Sequence, residues 1–173
     1  MKVTILGCGT SGGVPRPGGK DGMGEGGAAD PLDGRNRRRR CSILVQDRGK
    51  TLLVDTSPDL HHQMLDACVE RVDAVLWTHE HADQVHGIDD LRPYALRQGP
   101  IEAWMDSRTW KILQRRFGYC FESEPDGFYN PIYRINLIEG PFAPAGLNVL
   151  PFRLSPEKFL GSRLGMLLYG LAS

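Results

Sequence analysis

Apolar and polar positions along the chain change their period several times, and each change marks an element. Lys2-Val3-Thr4-Ile5-Leu6 reads as a short strand. From Gly7 to Gly34 no apolar period survives, and 11 of the 21 glycines fall there, so a long surface loop is predicted. Two apolar runs, CSILVQD and KTLLVDT, are separated by Arg48-Gly49 and predict a β-hairpin. Ser57-Pro58 is a good cap and first helical position, followed by Leu60, Met64, Leu65 and Cys68 on one helical face. DAVLW predicts a buried strand, and a histidine-rich turn runs from Thr78 to Gly87. Residues 88–98 read as a helix with Pro93 in its first turn, and IEAWMD as a strand. Ser107 is placed to cap a helix carrying Trp110, Leu113 and Phe117, and YRINLIE and LNVLPF read as further strands. The order is an α/β mixture without internal repeat. The stretch from about residue 154 to Ser173 is apolar but aperiodic, and Gly161, Gly165 and Gly170 would each cost a helix about 1 kcal/mol, so it matches no element well.

Composition narrows the function classes. With Lys+Arg 21 against Asp+Glu 21 the formal charge is zero, and 40% of residues are hydrophobic, enough for one core. A disordered chain would be less apolar, and no run reaches the ~20 apolar residues of a membrane span, so no membrane partner is expected. Net charge gives no indication of nucleic acid. The first residues lack the ~7–15-residue apolar core of a secretion signal, and Cys8, Cys41, Cys68 and Cys120 show no C-x-x-C spacing. Reduced thiols and a cytoplasmic location are expected.

The chemistry concentrates in Thr78-His79-Glu80-His81-Ala82-Asp83-Gln84-Val85-His86-Gly87. Three of the five histidines lie here with acids between them, and imidazole and carboxylate are the ligands that zinc, iron and manganese take from proteins. In an extended turn His79 and His81 point to one side. If a helix starts near Asp83, then Asp83 and His86 share its first-turn face. The convergence falls at the C-terminal edge of a strand, where α/β sheets place ligands. Gly7-x-Gly9-x-x-Gly12 has the letters of a dinucleotide site, but Val14-Pro15-Arg16-Pro17 cannot open the helix such a site needs. Arg35, Arg37, Arg38, Arg39 and Arg40 could clamp a phosphate, though a solvated edge is the commoner role of such a run. Asp89, Asp90 and Arg92 could brace the turn by ion pairing.

THEHADQVHGIDDLR resembles the H-x-H-x-D-H signature of the metallo-β-lactamase-fold hydrolases. GCGTSGGVP, NRRRRCSILV and LLVDTSPDL resemble the branch of phosphodiesterases acting on phosphoribosyl cyclic phosphates, itself similar to tRNA-processing nucleases. The resemblance implies a four-layer αββα sandwich and up to two divalent ions, zinc or manganese, with a metal-bound hydroxide attacking a small phosphodiester or nucleotide-like substrate. It implies His79 and His81 as ligands of one ion, Asp83 as ligand of the other and the catalytic carboxylate, and Asp55 as an acid orienting a ligand histidine from behind. Asp55 reads equally as an acid ahead of the helix. Gln84 stands where the signature has histidine, which makes His86 the substitute ligand. RNA 3′ ends, thioesters and lactams are the alternative substrates of the same fold, and a catalytically inactive truncated fragment or a metal-binding interaction module is the alternative outside enzymes.

No histidine follows His86, and the likeness stops near Arg153. Residues 1–153 are therefore expected to be the N-terminal part of the fold, with 154–173 an atypical tail out of register with the family. Half of a sandwich leaves an apolar sheet face in water. The expectation is a chain that pairs with another chain, such as a second copy, aggregates or has low activity.

Overall fold

The structure is a computed structural model that describes residues 1–18, 30, 32–123, 130–154 and 163–168, with backbone alone for 153–154 and 163–168. Six strands form one mixed sheet in chain order: β1 (Lys2–Gly7), β2 (Ser42–Asp47), β3 (Lys50–Val54), β4 (Ala74–Leu76), β5 (Ile101–Met105) and β6 (Tyr133–Leu137). β1–β2 and β2–β3 pair antiparallel, whereas β3 to β6 run parallel. The β2–β3 hairpin turns on Arg48 and Gly49, both with positive φ (46° and 73°), the conformation its two-residue loop demands.

Helices α1 (Leu60–Asp66), α3 (Arg92–Gln98) and α4 (Ser107–Phe117) cover one face of this sheet, and the one-turn helix α2 (Ala82–Val85) carries part of the histidine-rich turn. Leu60, Met64, Leu91, Tyr94 and Leu113 of the helical layer pack with Leu44, Leu53, Val75 and Ala103 of the strands. Burying a side chain of this size contributes about 1.5–3 kcal/mol. The other face carries a second cluster, Val45, Leu52, Val54, Ala74 and Leu76, closed by Leu147 with Phe142 and Ala145 against it. Beyond it, β7 (Val149–Leu154) and β8 (Arg163–Leu168) form a two-stranded antiparallel sheet. Helices on one face of a sheet and a second sheet after it are the layers expected of the sandwich. Toward β1, Val3 and Ile5 are exposed among the described residues.

Four local expectations shift. On α1 it is Gln63, with Leu60 and Met64, that is buried, while Leu65 and Cys68 are exposed. The helix has seven residues, and the Gln63 carboxamide is drawn inward by Ser57 Oγ at 2.9 Å and the Arg40 carbonyl at 2.9 Å. The cap of α4 is Asp106 rather than Ser107, its carboxylate accepting from the Thr109 amide at 2.7 Å. The predicted helix over 88–98 is a 3-10 turn (Ile88–Leu91) followed by α3, with Pro93 in its first turn. Within the tail, Arg163–Leu168 forms a strand, with Gly165 opposite Phe152. Residues 19–29 of the glycine-rich stretch and 155–162 and 169–173 of the tail lie outside the described residues.

Gly87 ends the histidine-rich turn against α1. A Cβ there would lie 2.2 Å from the Ser57 carbonyl oxygen and 2.8 Å from Leu60 Cβ, so only glycine allows this approach. Gly87→Ala is expected to cost about 1–3 kcal/mol, the scale of overpacking in a closed core, measured as a lower urea midpoint with unchanged m-value.

Candidate metal centre

β3 and β4 are adjacent and parallel, so the segments leaving them emerge at the same edge of the sheet. Asp55 follows β3, and Trp77-Thr78-His79 follows β4. Trp77 anchors the second segment. Its ring is fully buried edge-on against Phe121 and Tyr133, and its Nε1 donates to Thr56 Oγ1 at 2.8 Å. Asp55 is buried and takes a left-handed backbone conformation, φ 61°, which Asp tolerates better than most residues. Its backbone N–H donates to the Leu76 carbonyl at 2.8 Å, tying the two segments together.

That conformation turns the Asp55 carboxylate onto Thr78. Oδ1 accepts from the Thr78 amide at 2.8 Å and Oδ2 from the Thr78 hydroxyl at 2.8 Å. With Asp55 ionised, the hydroxyl has one proton to give, and it goes to that carboxylate. Thr78 Oγ1 must then accept at its 2.9 Å contact with His79 Nδ1, so Nδ1 carries the ring proton and a cation would be met by Nε2. Three side chains thus fix one tautomer.

Ligand atoms of His79, His81 and Asp83 all lie within 4.8 Å of one another. The two imidazole rings meet edge to face with centroids 4.8 Å apart. Two imidazoles and a carboxylate at this spacing fit a divalent transition metal, which takes nitrogen and oxygen ligands at about 2 Å from its centre. His79 is buried and His81 exposed, so the cluster lies between the protein interior and solvent.

His86 is placed elsewhere. It is the exposed C-cap of α2, and its ring faces Phe117 at 6.0 Å between centroids. Gln84 is buried and donates its amide to Asp83 Oδ2 at 3.1 Å, while the Thr56 amide donates to its carbonyl at 2.7 Å. Glu80 turns away toward α4, where Arg108 reaches its carboxylate at 3.1 Å and Arg116 its carbonyl at 3.0 Å. Arg92 pairs with Asp89 at 2.7 Å. In the arginine run, Arg35, Arg39 and Arg40 go to Asp33, Asp66 and Asp59. Thr78, Arg108 and Arg116 escaped the sequence reading, since a threonine beside the histidines carries no signal until Asp55 lies beneath it.

Residues 50–166 match the family model of the beta-lactamase superfamily domain. Over 170 residues the chain is 33% identical to the octanoyltransferase of Porphyromonas gingivalis (strain ATCC BAA-308 / W83), covering 95% of this chain and 33% of that protein. A diphosphatase of the PhnP family superposes with a TM-score of 0.79 at 27% identity, covering 96% of this chain and 61% of that one. Zn2+-bound PqqB from Methylobacterium extorquens superposes at 0.65 with 19% identity, covering 96% and 61%. The short form of human tRNase Z superposes at 0.60 with 16% identity, covering 98% and 65%. These last two likenesses are of fold. The chain thus spans about a third of the first relative and about three-fifths of these structures.

Burial pushes the Asp55 carboxyl up to about 7; the Thr78 bonds oppose this and the Asp83 charge adds to it. In the unfolded chain an aspartate titrates near 3.9. Between about pH 4 and pH 7 the folded, cation-free chain therefore holds a proton that the unfolded chain has lost. Its stability falls as pH rises through that window and levels off above it. Asp55→Asn is expected to flatten the fall, read as the difference in urea unfolding free energy between about pH 5 and pH 8.

Proposed function

The chain belongs to the beta-lactamase superfamily, and from that membership we propose that it hydrolyses phosphodiesters with a divalent cation, zinc or manganese, held by His79, His81 and Asp83. The observation that carries this reading is the donor set itself, two imidazoles and a carboxylate with ligand atoms within 4.8 Å at the edge of β4. Such a cation supplies positive charge for phosphate oxygens and acidifies a water molecule. The likeness to a PhnP-family diphosphatase, at 27% identity over 96% of this chain, supports phosphorus as the centre attacked.

The side chains divide the work. His79, with its tautomer set by Thr78 and Asp55, offers Nε2 in a fixed direction. His81, exposed, stands on the side from which substrate arrives. Asp83 Oδ2 accepts from the Gln84 amide, which leaves Oδ1 to take a cation or hold the proton of an attacking water. Gln84 thereby supports the carboxylate where the superfamily signature places a further imidazole. His86 lies against Phe117 and has no part in this set.

Elemental analysis of the purified chain and hydrolysis of bis-p-nitrophenyl phosphate test the reading together. Metal and turnover are expected in the parent and in His86→Ala. His79→Ala, His81→Ala and Asp83→Asn are expected to lose both. Turnover that survives all three substitutions, or a parent chain with neither metal nor turnover, would sink the proposal, the latter leaving an inactive module of the same fold. Thr78→Val removes the hydroxyl but keeps the shape, and is expected to weaken cation affinity by about 10–100-fold, the usual effect of losing a group that orients a ligand.

A further inference from the structure

A cleft of ≈ 670 Å3 lies where the start of the glycine-rich loop folds back along the arginine run, and Arg37, Arg38, Arg39 and Arg40 all line it. The main chain builds it. Gly9 bridges Arg40, and its amide donates to the Arg39 carbonyl at 2.7 Å. Val14 and Arg38 exchange both backbone hydrogen bonds, at 3.0 and 2.8 Å. A Cβ on Gly7 would lie 2.1 Å from the Arg40 carbonyl oxygen, and one on Gly9 2.6 Å from that of Arg38, so glycine is what lets the loop run this close. A Cβ on Gly12 would meet Arg16 Cγ at 3.3 Å, which sets the Arg16 side chain beside the same cleft. Four consecutive arginines are thereby held along one short stretch of backbone, with a fifth next to them.

The charges along this cleft are unbalanced. Arg39 reaches Asp66 and Arg40 reaches Asp59, each at 2.7 Å. Asp59 is the one acid lining the cleft among the described residues. Arg38 has no carboxylate partner among the described residues; its Nη1 donates to Cys8 Sγ at 3.7 Å, a weak acceptor. Arg40 Nε is buried and has no hydrogen-bond partner among them either. Neighbouring cations repel one another, and a concave wall focuses their field, so an entering anion is drawn in. Guanidinium forks match phosphate oxygens two donors at a time. The cleft also has apolar surface from Ile5, Leu6 and Val14, but no aromatic ring among the described residues. A single-stranded nucleic acid would stack its bases on such rings, whereas a small organic phosphate needs only an apolar wall.

We propose that this cleft binds a phosphate dianion, free or as the monoester of a small organic molecule, with Arg38 as its principal contact and Arg37 beside it. The site is separate from the cation set but adjoins it in the chain. Cys41 alone stands between Arg40 and Ser42, whose hydroxyl donates to the Asp55 carbonyl at 2.9 Å. Phosphate is held and released there, with no bond made or broken. The inference rests on the cleft alone and is independent of the reaction proposed for the cation centre.

Isothermal titration of the whole chain with inorganic phosphate and with phenyl phosphate tests this, in the chelator-treated parent and in His79→Ala. Both anions are expected to bind both proteins, which separates the cleft from the cation centre. Tighter binding of phenyl phosphate assigns the site to an organic monoester, and equal affinities assign it to free phosphate. Arg38→Gln is expected to weaken both anions by about 10–100-fold, the scale of a lost charged hydrogen-bonding partner, and Arg38→Lys to fall between. Arg35→Gln serves as the charge control, since Arg35 lies outside the cleft on Asp33 at 2.6 Å, and it is expected to bind as the parent does. Circular dichroism checks that each variant is folded. The inference is overturned if the folded parent binds neither anion, if binding disappears in folded His79→Ala and in the chelator-treated parent, or if Arg35→Gln weakens binding as much as Arg38→Gln.

Discussion

A buried carboxylate with two donors from one threonine is what the candidate centre depends on. Asp55 has little contact with water, and an isolated charge in such a place is costly. It is retained because the Thr78 amide and hydroxyl both point at it, and because the hydroxyl, once committed to Asp55, can only accept from His79. Charge, hydrogen-bond direction and ring tautomer are therefore one linked choice. The sheet makes it available, since β3 and β4 are parallel neighbours and deliver Asp55 and Thr78 to the same edge.

The rest of the centre is held from the helical side. Arg108 and Arg116 of α4 fasten Glu80, Gly87 lets the turn close onto α1, and the Tyr133 hydroxyl of β6 donates to the Ile88 carbonyl just beyond. The histidine-rich turn is thus fixed by contacts at several points along its length. Pre-positioned ligands favour cation binding, because less chain entropy is lost when the coordination shell closes.

Much of this was legible in the sequence where one short stretch carries both the chemistry and its spacing. Alternate residues in extended chain share a side, so His79 and His81 could be paired before any fold was known. The Arg48-Gly49 turn was legible because its two strands demand positive φ, which glycine supplies. What could not be read depended on partners far along the chain. Gln63 is buried by Ser57 and Arg40, and Thr78 acquires its role from Asp55, 23 residues earlier. His86 shares a turn with Asp83 by counting, but α2 is one turn long and releases it toward Phe117. The strand at Arg163–Leu168 was hidden because Gly165 interrupts the apolar pattern, while its place opposite Phe152 shows only in the pairing.

The left-handed backbone at Asp55 restricts the alphabet available at that position. The site asks for an acceptor on each of two oxygens, a stem of one methylene, and a main chain tolerant of φ 61°. Glutamate keeps the oxygens but lengthens the reach, asparagine keeps the reach but exchanges an acceptor for a donor, and glycine keeps only the tolerance. Aspartate alone meets all three demands, so drift at this codon has almost nowhere to go.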